Sequence, residues 1–189
     1  SAALAARRAG ASVRGWDPDP EVLRVAHERE AVEPAASLAE AVEGADLVLI
    51  AAPVAELPHA VREVLALAPA GCVVTDVGST KTAVCAAASG DARFIGGHPI
   101  CGAETRGPER ANAELFEGAT WFLTPTAGTG PELLRTVHGF VTSLGARPVA
   151  IDAGAHDRLV AVTSHLPHAL ANVLLNQAGA TRVDGHDPL

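Results

Sequence analysis

A lone imidazole, His98, sits in the most chemically pointed stretch of the chain, Gly96-Gly97-His98-Pro99-Ile100-Cys101-Gly102-Ala103-Glu104. The glycines and the proline read as a stiffened loop just past a short apolar strand, Arg93-Phe94-Ile95. Histidine titrates nearer neutral pH than any other side chain, so it can take or release a proton there. Loops at strand ends are where α/β enzymes keep such groups. By itself His98 reads as a loop histidine capping backbone carbonyls. Two further segments change that reading: Asp76-Val77-Gly78-Ser79-Thr80-Lys81 and Ser164-His165-Leu166-Pro167-His168.

In the first of these, a buried strand gives way to a helix expected over about 79–88. Ser79 is placed as its N-cap, and a cap hydroxyl at the carboxyl end of a sheet can also touch a ligand. Lys81 adds positive charge beside it, suited to an anionic substrate. In the second, Ser164 and His168 stand at i and i+4 and share a helix face, while His165 points elsewhere. Pro167 has no N–H, so the Thr163 carbonyl loses its helical partner and a kink is expected. Ser164 and His168 therefore also read as core polar groups satisfying that break. No Asp, Glu or Cys set with ligand spacing accompanies the two histidines, so no metal is expected.

The elements that must position these groups alternate. A helix covers about 1–9, alanine-rich, with Arg7 and Arg8 in its last turn and Gly10 at C′. Strand 11–16 ends at Asp17-Pro18, and 19–29 is helical. Ser37 caps a short helix to about 43, with Glu40 at the capping-box position. The apolar run 45–52 reads as a strand buried on both faces, ended by Pro53. Helix 55–67 follows, then strand 71–77, the helix after Ser79, and strand 92–95. A polar helix near 107–114, strand 120–124, helix 131–144 and strand 146–151 complete the pattern. Such alternation means parallel βαβ units with right-handed crossovers. After Asp152 it stops. Residues 153–178 read as one long, mostly apolar helix, and a domain boundary is placed at about 152, dividing 1–151 from 152–189.

Within that frame Asp17 closes the second strand of a βαβ unit. In dinucleotide folds an acid here binds the adenosine ribose and repels a 2′-phosphate, favouring NAD over NADP. It reads equally as an Asp-Pro turn. The glycine fingerprint of such folds would lie before Ser1; Ser1 stands at the helix end that would face the pyrophosphate. Ala51-Ala52-Pro53-Val54 puts small residues at the carboxyl end of a strand, where a flat cofactor could approach, or is a simple strand terminator.

The chain has 189 residues, nearly half apolar, and a net charge of −8. That composition argues for a folded core and against nucleic acid, whose footprint is basic. No apolar run approaches the ~20 residues that span a bilayer. Cys72, Cys85 and Cys101 are an odd count without CxxC spacing, which fits a reducing cytoplasm. Cys101 lies near His98 but nothing marks it as activated. There is no methionine, the chain opens Ser1-Ala2-Ala3-Leu4, and it stops in turn-like sequence. It reads as an internal piece of a longer protein.

Together, Asp46 to Val54, Asp76 to Lys81, Gly96 to Glu104, Glu117 to Pro125 and His156 to Asn172 resemble the prephenate dehydrogenase family, including its arogenate-using relatives. The resemblance runs over essentially the whole chain, and the pair of segments around His98 and Ser164 is its specific part. It implies a Rossmann-like, doubly wound α/β fold with a mostly parallel sheet, its first strand missing here, followed by the start of an all-α domain. A gap is then expected between the strands at 11–16 and 45–52. The resemblance implies His98 as the catalytic base on the ring hydroxyl and Ser79 as the serine that orients it. Ser164, His168, His165, Glu104 and Lys81 fall to the substrate pocket. Ser1, Asp17, Ala52, Pro53, Val54 and Gly78 fall to the cofactor side. The implied activity is NAD-dependent oxidative decarboxylation of prephenate, or oxidation of arogenate, by a cytoplasmic homodimer joined through its helical domain.

Two alternatives stand beside it. Other β-hydroxyacid-type dehydrogenases usually rely on a lysine in the helical domain, and residues 152–189 contain none. A non-catalytic ligand-sensing module would be marked by loss of His98 or Ser79, and both are present.

Overall fold

The computed structural model describes residues 1–102 and 107–181. Glu104, assigned to the substrate pocket, lies outside the described residues.

Helix α1 (Ala2–Arg8) is followed by β1 (Arg14–Gly15), α2 (Pro20–Glu28) and β2 (Glu33–Pro34), then α3 (Leu38–Val42) and β3 (Leu47–Ile50). Next come α4 (Leu57–Leu67), β4 (Val73–Asp76), α5 (Thr82–Ala87) and β5 (Gly96–Ile100). After a short 3₁₀ turn, Pro108–Arg110, the chain forms β6 (Thr120–Thr124), α6 (Pro131–Ser143) and β7 (Arg147–Ala150). Helix α7 (Ala153–Val160), a π-helical turn (Ala161–His165) and α8 (Leu166–Ala180) then run without a strand between them.

Local chemistry sets several of these limits. Gly10 ends α1 at φ +92°, a conformation that costs glycine nothing. Ser37 Oγ accepts from the Glu40 amide, 3.2 Å away, while the Glu40 carboxylate reaches back to the Ala36 amide at 2.8 Å. At α2 and α7 the caps are Asp19 and Asp152, which accept from the amides of Glu21 and Ala155.

β1 pairs with β2, β3 with β4 and β6 with β7, all parallel; β5 and β6 are antiparallel. β4 meets the residues leading into β5 at Val74 and Phe94, where the Ile95 amide donates to the Val74 carbonyl at 2.9 Å. The sheet is therefore mostly parallel and continuous from β3 to β7. Among the described residues no ladder joins the β1–β2 pair to β3, where the gap was expected. β3 is accordingly only partly covered except at Ile50, rather than buried on both faces, whereas all of β4 is buried.

The sheet is covered on both sides, as successive side chains of a strand demand. Val74 joins Val42, Leu57, Val61, Val64 and Val84 on one face. Val73, one residue earlier, joins Ala5, Ala6, Trp121, Val137 and Val141 on the other. α3, α4 and α5 thus pack one face and α1 and α6 the opposite one. Among the described residues no helix is long and apolar enough to cross a membrane.

Candidate active site

His98 is not on the loop that its glycine and proline neighbours suggest but inside β5, opposite Phe122 of β6. The glycines before it are strand residues chosen for closeness: a Cβ on Gly97 would lie 2.4 Å from the Asp76 carbonyl oxygen. Only a residue without one lets β5 lie so near β4.

At this point the backbone ladder between the two strands hands over to side chains. The Gly97 amide donates to the Asp76 carboxylate at 3.0 Å, and the Gly97 carbonyl accepts from Lys81 Nζ at 2.7 Å. Lys81 also forms an ion pair with Asp76, and both side chains are 0% exposed. This overturns the reading of Lys81 as a cation waiting for an anionic substrate. Its charge is spent on Asp76, and its second contact, to the Gly97 carbonyl, holds the strand before His98. Burial pulls the Lys81 pKa below the usual lysine range, against the pull of Asp76.

Ser79 is likewise not the cap of α5. That helix begins at Thr82, and its first amides are satisfied from across the fold: the Asp157 carboxylate of α7 accepts from Lys81 N at 2.7 Å and from Thr82 N at 2.9 Å. Asp76 also accepts from the Gly78 amide at 2.8 Å, which tightens the turn so that Ser79 falls before the helix. Ser79 is half-buried there, at the carboxyl end of β4. Gly78 is buried beneath Leu57 and has no amide to spare, so it shapes the turn rather than offering a donor.

Asp157 and its neighbour His156 are two residues with no role assigned above. His156 Nδ1 lies 2.9 Å from Asp157 Oδ1, and His156 Nε2 lies 2.9 Å from His98 Nδ1. The His156 ring is 0% exposed and packs edge-on against both His98 and Phe122. A chain of three side chains therefore runs from the amino end of α5 to the imidazole on β5. Burial, the largest cause, pushes the His98 pKa down to about 4; repulsion from any proton gained by His156 or His165, and from the Lys81 ammonium, acts in the same direction, with Asp157 opposing. Burial alone would raise the Asp157 carboxyl, but hydrogen bonds from Thr82, His156 and the Lys81 amide outweigh it and hold the group well below the usual carboxylate range.

The remaining sequence-derived residues are spread around this centre. His165, in the π-helical turn, is near enough for its charge to bear on His98. Ser164 belongs to the same turn and His168 to the first turn of α8; both are exposed, and among the described residues no hydrogen bond joins either side chain to the groups just described. The expected kink at Pro167 takes the form of that π turn, a widening that absorbs the missing N–H without breaking the helix. Asp17 is half-buried at the end of β1, and one carboxylate oxygen accepts from the Asp19 amide at 2.9 Å, so the Asp-Pro turn is real. Its other carboxylate oxygen has no hydrogen-bond partner among the described residues. Ser1 Oγ accepts from the Asn112 amide at 3.1 Å. Ala52, Pro53 and Val54 follow β3 at its carboxyl end, Ala52 half-buried and the others exposed.

The arrangement defines a class: a doubly wound α/β domain of the dinucleotide-binding kind, with a proton-accepting imidazole near the carboxyl ends of its strands and a helical segment supplying the residues behind it. Residues 2–150 match the family model described as "Prephenate dehydrogenase, nucleotide-binding domain", and the chain belongs to that family. It is 31% identical to the prephenate dehydrogenase of Lactococcus lactis over 164 residues, which is 84% of this chain and 44% of that protein. It thus spans less than half the length of that relative. Prephenate dehydrogenase from Aquifex aeolicus, solved with hydroxyphenyl propionate and NAD+, superposes with a TM-score of 0.89 at 29% identity, covering 98% of this chain and 67% of the other. Arogenate dehydrogenase from Synechocystis gives a TM-score of 0.83 at 30% identity, covering 97% and 67%.

Proposed function

We propose that the protein carrying this chain oxidises prephenate to 4-hydroxyphenylpyruvate and carbon dioxide with NAD as acceptor. The observation that carries this reading is His98: a neutral imidazole, tied through Nδ1 to His156, with Nε2 left for a substrate. Oxidising a secondary alcohol needs a base on the departing hydroxyl proton and a hydride acceptor beside it.

The chain offers a fitting surface for NAD: the free oxygen of Asp17 for the ribose, residues 51–54 with Ala52 half-buried and the others exposed, and the amino end of α1 at Ser1. Asp17 would repel a 2′-phosphate, which favours NAD over NADP. When bound, NAD would supply the hydride acceptor for the hydroxyl-bearing ring carbon. His98 Nε2 takes the hydroxyl proton as that C–O bond gains double-bond character. Loss of the ring carboxylate as carbon dioxide makes the ring aromatic, and the phenolate oxygen takes the proton back from His98. The base is regenerated and no net proton is consumed. Ser79, at the carboxyl end of β4, orients the hydroxyl. Ser164, His165 and His168 line the helical side of the substrate pocket. The two carboxylates of prephenate would draw the His98 pKa upward on binding, towards the working pH.

In this reading residues 1–151 form the dinucleotide-binding domain and 152–189 open a helical domain. Exposed Leu166, Leu170, Val173 and Leu174 on α8 support a covering of further protein, and the reading places the enzyme in the cytoplasm as a homodimer. The test uses the full-length protein, wild type and His98→Asn, followed by NADH absorbance with prephenate or arogenate and with NAD or NADP. Turnover of prephenate with NAD that collapses in the variant, with NAD binding kept, is expected. Turnover of arogenate alone would reassign the substrate, and turnover of neither by a folded, NAD-binding protein would sink the reading.

A further inference from the structure

The hydrogen-bond chain behind His98 has a direction. A carboxylate only accepts. Asp157 Oδ1 already accepts from the Lys81 amide and faces His156 Nδ1 at 2.9 Å, so that nitrogen carries a hydrogen. In a neutral ring the other nitrogen, Nε2, is then a bare lone pair. It faces His98 Nδ1 at 2.9 Å, and the single proton of that contact must belong to His98. A neutral His98 with hydrogen on Nδ1 has its lone pair on Nε2, where a base is needed. We propose that the buried pair His156 and Asp157 of α7 is a positioning device that fixes the tautomer of His98, so that Nε2 and not Nδ1 takes the substrate proton.

The opposite polarity would need His156 to hold both hydrogens. That would put a cation in a ring with no solvent exposure, packed edge-on against Phe122, with the buried Lys81 ammonium and His165 also bearing on the site. Asp157 is the only anion turned towards His156 among the groups named, and it is shared with two backbone amides of α5. The depressed basicity of His98 fits the same picture, since the ring is held neutral until a substrate arrives. Once His98 takes the proton, its Nδ1–H keeps the bond to His156 and the Asp157 charge stands behind the new imidazolium. Neither residue touches substrate in this scheme; both act through His98.

The inference rests on the dehydrogenase reading, and its test separates the two. Nitrogen-15 NMR of the histidine rings in the full-length wild-type protein near pH 7.5 reads the tautomers without substrate (roughly one unit above the free histidine pKa). The expected spectrum shows His98 protonated at Nδ1 and bare at Nε2, and His156 protonated at Nδ1 only. Kinetics of two variants follow. His156→Leu removes the acceptor and is expected to lower kcat by about a hundredfold with NAD affinity kept. His156→Gln can still accept from His98 Nδ1 and is expected to recover most of that loss. A doubly protonated His156, a hydrogen on His98 Nε2, or a His156→Leu enzyme within about threefold of wild type in kcat would each overturn the proposal. Should the leucine variant not fold, the wild-type spectrum and the glutamine variant decide. A wild-type protein with the expected tautomers that oxidises neither prephenate nor arogenate would remove the dehydrogenase reading and keep the tautomer assignment.

Discussion

Replacing Gly97 by alanine is the sharpest probe of how β5 holds His98. The added Cβ would stand 2.4 Å from the Asp76 carbonyl oxygen, 2.8 Å from Thr75 Oγ1 and 2.9 Å from Trp121 Nε1. Ordinary contact begins near 3.4 Å, so β5 must withdraw from β4 by about 1 Å at this point. The nearest obstacle is backbone and cannot rotate away. Overpacking of this kind costs about 1–3 kcal/mol, which lowers Tm by roughly 2–12 °C for a domain of this size. The neighbouring residue is the proposed base, and a displacement of about 1 Å at a reacting group costs on the order of a hundredfold in rate. Gly96→Ala is the graded comparison, because its Cβ would meet side chains, Thr124 Oγ1 at 2.5 Å and Cys85 Sγ at 3.1 Å, that can turn aside. Gly71→Ala, with nothing within 4 Å, is the blank. Thermal melts and steady-state rates of the three variants in the full-length protein test the ordering. A Gly97→Ala enzyme that melts and turns over like Gly71→Ala would refute the claim that glycine at 97 sets the position of His98.

Lys81→Met leaves Asp76 charged and buried, a loss of about 3–5 kcal/mol for a broken buried pair. The low end is expected because the Gly78 and Gly97 amides still donate to Asp76, and denaturant melts measure it. The His98 pKa is lowered from 6.5 to about 4, so its folded state favours the neutral ring. That contribution to stability is complete above pH 6.5 and is lost as pH falls through about 4. Tm measured across this window should fall less steeply for His98→Asn than for wild type. In rate profiles, the acid limb of kcat/KM reports the free enzyme and should lie well below the ordinary histidine range. The limb of kcat should sit higher, because bound carboxylates favour the imidazolium; equal limbs near 6.5 would contradict the buried, neutral His98.

What the sequence revealed and what it hid follow from the range of the interactions. The Ser37–Glu40 cap, the glycine stop at Gly10 and the alternation of strands and helices rest on neighbours a few residues apart, and they read directly. The surroundings of His98 read as a loop because glycine and proline usually interrupt strands; here glycine is needed for close approach to Asp76, which is distant in sequence. Ser79 reads as a cap because the true cap, Asp157, is separated from Lys81 by 76 positions. Lys81 looked free because nothing local says that the five-residue return from Asp76 brings the two side chains together inside the core. His156 and Asp157 carried one usable sign: His156 precedes Ser164 by eight residues, the spacing of one helix face, and the residue after it is an acid able to orient an imidazole.

The same polar groups build the fold and prepare the chemistry. Where the β4–β5 ladder ends, Asp76 and Lys81 supply the missing partners for Gly97. Where α5 begins without a local cap, Asp157 supplies the acceptors for its first amides. Both substitutions converge on His98, the first by fixing its strand and the second by turning His156 towards its ring. An unpaired buried amide or carboxylate costs on the order of 1–3 kcal/mol, so the backbone cannot reach this geometry without those side chains already in place. The consequence is that the His98 ring is oriented by folding itself, before any ligand binds. Substitutions at Asp76, Lys81 or Asp157 should therefore show loss of rate and loss of stability together, whereas changes at exposed Ser164 or His168 should separate the two, altering substrate affinity while leaving Tm close to that of wild type.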